Sequence, residues 1–266
     1  MRVAAVRAGR PMLLAVDIGN TNIVVGVFTD ASLAAHFRIQ TVYDRMADEY
    51  HVTLAGLFRE SGIDAATCES VVVSSVVPVL TEAVAEALRR LTGRKALVLS
   101  PTVTLNVTIA IGNPRELGSD LIANAVAAYD RFRDACIVVD FGTALTFTAV
   151  SAEGAILGAA IAPGLRTAVH SLAAGTAQLP EIDLSEPESA IGTDTPSALR
   201  AGIVIGYQGL VSEVLRQMKE QIGVPARVIA TGGLSGAMAA RLAEIDAVDP
   251  WLTLEGLRIV AELNRG

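Results

Sequence analysis

Short apolar runs alternate with turn residues along the whole chain. Residues 13–16, Leu-Leu-Ala-Val, are a continuous apolar run that predicts a buried strand. Asp17, Ile18, Gly19, Asn20, Thr21 and Asn22 follow, and a second apolar run covers 23–28. Gly19 and Asn20 mark a tight turn, so the segment reads as strand, acidic turn, strand. Residues 47–61 carry Tyr50, Leu54, Leu57 and Phe58 at helical spacing, with Gly62 as a stop. A β-branched run at 71–77 predicts a strand, and 79–92 an amphipathic helix ended by Gly93. Beyond the apolar run 96–99, Ser100, Thr102, Thr104, Asn106 and Thr108 alternate with Pro101, Val103, Leu105, Val107 and Ile109. A period of two predicts a half-buried strand there, not a membrane-spanning helix.

Asn113 and Pro114 break the chain. Leu121, Ile122, Ala125, Val126, Tyr129 and Phe132 then predict a helix over 119–134. Next comes a second strand–turn–strand: 136–139, then Asp140-Phe141-Gly142-Thr143, then 145–150. A strand at 155–161 is closed by Pro163 and Gly164, and a long helix spans 195–221. Strand 227–230, the turn Thr231-Gly232-Gly233 and a helix at 235–244 follow. The sequence echoes itself, since Leu14-Ala15-Val16-Asp17-Ile18-Gly19-Asn20 matches Ile137-Val138-Val139-Asp140-Phe141-Gly142-Thr143. Two similar halves that mix strands and helices imply a duplicated α/β fold with a cleft between them. The expected domains are 12–114 and 115–266. Residues 1–11 are Arg-bearing, lack a signal-length apolar stretch, and read as a disordered extension with Met12 as an alternative start.

Composition narrows the class. Of the 266 residues, 52% are hydrophobic and 18% charged, which excludes extended disorder. The net charge of −7, with no basic run, makes nucleic acid or an anionic membrane a poor partner. Cys68 and Cys136 are too few for a disulfide framework or a zinc site and read as small core residues, compatible with a cytoplasmic location. The only lysines are Lys95 and Lys219, and no Gly-x-x-x-x-Gly-Lys motif exists, so a P-loop is excluded.

Four places could carry chemistry. The Asp17–Asn22 turn has backbone N–H groups and the side chains of Asn20, Thr21 and Asn22 to bond phosphate oxygens, while Asp17 could hold magnesium through water. The same residues also suit a plain hairpin, but the second copy at Asp140 favours a phosphate- and metal-holding pair. Asp120 opens the 119–134 helix, where the dipole favours its ionised form, as a general base for a substrate hydroxyl requires. Capping by Ser119 or Asp120 is the alternative there. Gly232 and Gly233 would let the backbone approach a flat ring or a phosphate, or form an ordinary turn. Thr195, before Pro196, is expected to be a helix N-cap.

Six ordered motifs carry a family resemblance: Asp17-Ile18-Gly19-Asn20-Thr21-Asn22, Ser74-Ser75-Val76-Val77-Pro78, Asn113-Pro114-Arg115-Glu116-Leu117-Gly118-Ser119-Asp120, Asp140-Phe141-Gly142-Thr143, Ala162-Pro163-Gly164-Leu165 and Thr231-Gly232-Gly233. Their order, covering nearly the whole chain from Met12, resembles that of type III pantothenate kinases. The resemblance implies duplicated actin-like (ribonuclease H-like) domains. It implies ATP-dependent phosphorylation of pantothenate to 4′-phosphopantothenate, the first step towards coenzyme A. It implies magnesium and a monovalent cation, K+ or NH4+. Carried over by position, Asp17, Gly19, Asn20, Thr21, Asn22, Ile23 and Val24 would hold the ATP phosphates, and Thr143, Gly232 and Gly233 would also contact ATP. Asp140 would bind the monovalent cation and Asp120 would be the base. Gly118, Ser119, Asp120 and Leu121 would line the pantothenate site. Thr195 would reach pantothenate from a partner subunit, so that a homodimer completes the site.

Three positions depart from the family pattern: Leu121 stands where Arg is usual, Ile111 where Tyr is frequent, and Thr148 where Asp is frequent. They motivate two alternatives, a kinase of the same fold acting on another small alcohol and a non-catalytic nucleotide-binding regulator.

Overall fold

The structure is a computed structural model that describes residues 12–265; the expected extension at 1–11 lies outside them. In chain order the elements are β1 (Met12–Ile18), β2 (Asn22–Thr29), β3 (Ser32–Gln40), α1 (Ala47–Glu60), β4 (Cys68–Ser75), α2 (Pro78–Thr92), β5 (Ala96–Val98), β6 (Thr108–Ile109) and α3 (Ser119–Phe132). They continue with β7 (Cys136–Phe141), β8 (Ala144–Val150), β9 (Ala155–Pro163), α4 (Leu165–Gly175), α5 (Thr195–Ile222), β10 (Arg227–Thr231), α6 (Ser235–Ala239), β11 (Ala247–Val248) and α7 (Leu252–Leu263).

The chain divides into two compact units. The first runs through Ala127 and takes back the C-terminal segment from Leu252, and the second is Ala128–Trp251. The boundary expected from the sequence lies near Pro114, whereas the units part inside α3, after Ala127.

In the first unit the strand order is β3-β2-β1-β4-β5. β1 pairs antiparallel with β2, and β2 with β3, while β4 runs parallel to both β1 and β5. Leu14, Val16 and Ile18 pack with Tyr50, Leu54 and Phe58 of α1 and Leu80, Val84 and Leu88 of α2. α7 also packs against β1, β2 and β4. Helices from both ends of the unit therefore cover β1, which is why its apolar run is continuous and not alternating.

The second unit repeats this plan. Its strands run β9-β8-β7-β10-β11, with the same sequence of antiparallel and parallel pairings. β7 thus stands for β1 and β10 for β4, so the duplication read from the echo is a duplication of topology. Its core gathers Ile137, Val139, Phe141, Leu145 and Phe147 of the sheet with Leu165, Val211, Leu215 and Met238 of the helices. Cys68 and Cys136 are free and buried, and burial pushes their thiols up to about 11 and about 12. They are core residues, as their apolar neighbourhoods predict.

Several local expectations change. No strand covers the alternating stretch 100–109 apart from the two residues of β6. The alternation in exposure is real, but the backbone bonds to side chains instead of a ladder: Asn264 accepts from the Thr104 N–H at 3.0 Å and donates to its carbonyl at 2.9 Å. β3, α4 and α7 are additional elements. β3 hides from a period-two reading because the register slips between Val27 and Phe28, so Phe28 faces Leu33 and Val27 faces Ala35. The N-cap of α5 is Asp194, not Thr195: its side chain accepts the Ser197 N–H at 2.8 Å, and Thr195 is the first helical residue.

α5 is unusual. It has 28 residues and, by length and apolar content, it could cross a membrane, yet only 22% of its most apolar window is buried. Ile205 is 40% exposed, and a side chain added at Gly202, Gly206 or Gly209 would meet nothing.

Candidate active site

The sequence-predicted residues of the first unit come together at the ends of β1 and β4. In the parallel register Asp17 lies beside Ser74 and Ile18 beside Ser75. The turn after β1 is closed by the Gly19 N–H on the Asn22 carbonyl at 3.0 Å. A Cβ on Gly19 would stand 3.1 Å from that same oxygen, so glycine gives the turn its tightness. Asn20 and Thr21 are exposed, Asn22 and Val24 are half-buried, and Ile23 is wholly buried. The Ile23 side chain belongs to the core, so only its backbone is available to a ligand.

Ser119 joins this turn region to the start of α3. Its Oγ accepts the Ser75 N–H at 2.9 Å, donates to the Ser75 carbonyl at 3.1 Å, and lies 2.9 Å from Ser74 Oγ. Its one proton goes to the carbonyl, so Ser74 is the donor in the hydroxyl pair. Ser119 is 9% exposed and its bonding capacity is used within the protein. It anchors the helix that carries Asp120 and leaves no free hydroxyl for a substrate.

Asp120 folds back over Gly118, where an added Cβ would collide with its Oδ1. The same oxygen accepts the Leu121 N–H at 2.9 Å. Burial raises its carboxyl above the ordinary aspartate value, and hydrogen bonds from the backbone oppose that shift. A carboxylate so held is more basic than a solvated one, which suits proton abstraction from an alcohol. The approach to Asp120 is ordered by Asn113, which accepts the Arg115 N–H at 3.3 Å and donates to Glu116 at 2.7 Å. Leu121 is 5% exposed and packs as a core residue, so this position presents no charge.

The second unit assembles its own group. Asp140 and Thr231 are register partners on β7 and β10. Gly232 has φ +88°, and an added Cβ would lie 2.7 Å from the carbonyl carbon of Phe141 and overlap the Asp140 carboxylate. Gly164 donates to the Thr143 carbonyl at 3.0 Å, Thr167 Oγ1 donates to it at 2.7 Å, and a Cβ on Gly164 would overlap the Gly142 and Thr143 carbonyls. Thr143 and Gly233 are exposed. The structure therefore brings Asp140, Thr143, Gly232 and Gly233 together. Thr195 stands elsewhere in the unit, lining a cavity of about 600 Å³ with Leu172, Leu179, Asp194, Leu199 and Ile203. Thr148 is buried at 1% exposure on β8, and Ile111 is half-buried.

Among the described residues no group of three or more His, Cys, Asp or Glu could hold a metal ion by itself. A hard cation here would draw most of its ligands from phosphate, backbone carbonyls and water. Asp17 in the first unit and Asp140 in the second are the carboxylates that could each contribute one such ligand.

A duplicated α/β unit whose strand–acidic-turn–strand motif recurs in each copy defines the actin-like kinase fold. A solved inorganic polyphosphate/ATP-glucomannokinase from Arthrobacter sp. strain KM has that fold. It covers 96% of this chain and all of its own, with a TM-score of 0.52 and 15% identity. A sequence profile described as Type III pantothenate kinase matches residues 13–217. The type III pantothenate kinase of Moorella thermoacetica is 45% identical over 253 residues, 95% of this chain and 100% of its own. That of Anaeromyxobacter sp. (strain K) is 42% identical over 254 residues, 96% and 100%. The chain belongs to the type III pantothenate kinase family.

Sequence reasoning missed Ser74 and Ser119 as a pair that positions Asp120. Each serine lies inside a family motif, but 45 residues separate them, and only the β1–β4 pairing and the start of α3 bring them to 2.9 Å.

Proposed function

We propose that this chain transfers the γ-phosphoryl group of ATP to the primary hydroxyl of pantothenate, giving 4′-phosphopantothenate for coenzyme A synthesis. The family membership supplies the reaction, and the placement of Asp120 carries the mechanism. Its partly buried, basic carboxylate is fixed by Ser119 to the strand ends that also bear the Asp17 turn. Asp120 takes the hydroxyl proton as the oxygen attacks phosphorus. The turn from Asp17 to Val24 holds phosphate oxygens through backbone N–H groups and the side chains of Asn20, Thr21 and Asn22. Such preorganised donors stabilise charge on a transferring phosphoryl group. Thr143, Gly232 and Gly233 contact the nucleotide as well.

Asp17, through water, would hold magnesium and Asp140 a monovalent cation, K+ or NH4+. A bound cation would neutralise phosphate charge as transfer proceeds. Gly118 and Leu121 line the acceptor site, and Thr195 reaches it from a second copy. The long exposed apolar face of α5, with Ile205 and the open positions at Gly202, Gly206 and Gly209, supports a homodimer because it leaves apolar surface for a second copy to cover.

The test is pantothenate-dependent ADP release with ATP, magnesium and potassium, run beside Asp120→Asn. Turnover that needs pantothenate and disappears in the variant supports the reading. One observation favours a second reading: Leu121 is buried and uncharged where the family resemblance leads one to expect a cation for an anionic acceptor. Turnover only with an acceptor lacking a carboxylate would select it. ATP binding without transfer to any acceptor would instead select a regulator.

A further inference from the structure

Directly after β3 the chain passes over the Asp17–Asn22 turn, and three consecutive residues fix it there. Val42 is held by the buried Tyr50 of α1, whose hydroxyl donates to the Val42 carbonyl at 3.0 Å and lies 3.4 Å from its N–H. On either side of this anchor, Thr41 and Tyr43 reach the turn. Thr41 is 7% exposed, donates its Oγ1 proton to the Gly19 carbonyl at 2.6 Å, and donates its N–H to the Thr21 carbonyl at 3.0 Å. One residue thus grips the backbone on both sides of Asn20. The Tyr43 hydroxyl lies 3.3 Å from the Asn20 carbonyl and 3.2 Å from its Oδ1. The single Tyr43 hydroxyl proton is within reach of both oxygens, so Tyr43 restrains the backbone and the side-chain amide of Asn20 together.

We infer that Thr41 and Tyr43 are positioning residues for the phosphoryl donor: they hold the turn and the Asn20 amide in the phosphate-binding arrangement before ATP arrives. This rests on the reading of the Asp17–Val24 turn as the phosphate site. The physical ground is preorganisation. A turn fixed in advance does not spend binding energy on ordering itself, so its loosening weakens the donor and not the acceptor. The clamp does not show in residue spacing, because Thr41 lies 22 residues from Gly19 and outside every sequence motif of the site.

The experiment is steady-state kinetics on the full chain, varying ATP at saturating pantothenate and pantothenate at saturating ATP. Four variants are compared: Thr41→Val, Thr41→Ser, Tyr43→Phe and Asn20→Ala. Thr41→Val, which keeps the shape and removes the hydroxyl, should raise the KM for ATP about fivefold to tenfold. The KM for pantothenate should stay within about twofold, and Thr41→Ser should restore the wild-type value. Tyr43→Phe, at a 56% exposed position where folding is not at risk, should raise the KM for ATP about twofold. Equal changes in both KM values, or no rescue by Thr41→Ser, would reduce Thr41 to a structural residue and overturn the inference. If Asn20→Ala leaves the KM for ATP unchanged, the phosphate reading of the turn itself fails and the inference falls with it. If Asn20→Ala raises it and neither Thr41→Val nor Tyr43→Phe does, only the clamp fails.

Discussion

The two acidic turns arise from matching sequence and end matching strands, yet they are restrained by different means. After β1, Ile18 pairs with Ile23 across the four residues 19–22, and Thr41 and Tyr43 tie the turn down from outside. After β7, Phe141 pairs with Leu145 across the three residues 142–144, and Gly164 and Gly232 pack their backbones directly against it. The first turn is longer, exposes Asn20 and Thr21, and depends on hydroxyl hydrogen bonds. The second is tighter and depends chiefly on the close backbone approach of Gly164 and Gly232, with one hydroxyl bond from Thr167 to the Thr143 carbonyl. Duplication preserved the strands because their pairing and burial demand it. The turns were free to adopt different restraints, since a turn's conformation is set by whatever packs on it.

The sharpest break in the symmetry concerns proton transfer. Asp120→Asn should lower kcat by about 100-fold or more while the chain still folds, because a positioned base typically contributes that much. Asp140→Asn in the second turn should instead leave measurable turnover and abolish its dependence on potassium. An assay of both variants across potassium concentrations separates the two roles.

Glycine substitutions come next in size. Gly232→Ala and Gly164→Ala should each destabilise by about 2–4 kcal/mol, since the new methyl meets backbone atoms that cannot yield, and Gly232 also has a positive φ. Gly19→Ala should cost less than about 1 kcal/mol, because its single close neighbour at 3.1 Å needs only a small shift. Chemical denaturation midpoints would compare them. Equal losses would erase the distinction between the turns.

A pH prediction follows from Asp120. Its folded-state pKa is raised, so the native state binds more protons than the unfolded state between the ordinary aspartate value and the raised one. Stability therefore falls as pH rises through that window and stays lower above it. Asp120→Asn should have the higher Tm near neutral pH, with the gain vanishing in acid. For activity the base must be ionised, so the acid limb of the wild-type kcat/KM profile should lie above the ordinary aspartate value. The smallest effect is expected for Ser119→Ala, which removes the link from α3 to β4. It should cost about 1 kcal/mol and lower kcat more than it alters either KM.

Much of this was legible in the chain. The apolar runs of β1, β2, β4, β7, β8 and β10 announce themselves because buried strands need them. The caps at Gly62 and Gly93 end helices where φ turns positive, at +66° and +72°. The echo of Asp17 in Asp140 marked the duplication, and Asp120 was visible as a carboxylate opening a helix. These are local signals, carried by residues close in sequence. What the tertiary structure decided is where distant segments meet. The bulge after Val27 put Ala34 out of phase and concealed β3. Asn264 substituted for a neighbouring strand at Thr104, so alternation there did not mean a ladder. Asp194 took the cap expected of Thr195, because its carboxylate reaches the Ser197 N–H and the residue after it is already helical. Ser74 meets Ser119, and Thr41 meets Gly19, through tertiary packing and not through nearness in sequence. Propensity and periodicity are properties of neighbours along the chain, whereas a hydrogen bond across 22 or 45 residues exists only once packing has brought its two ends together.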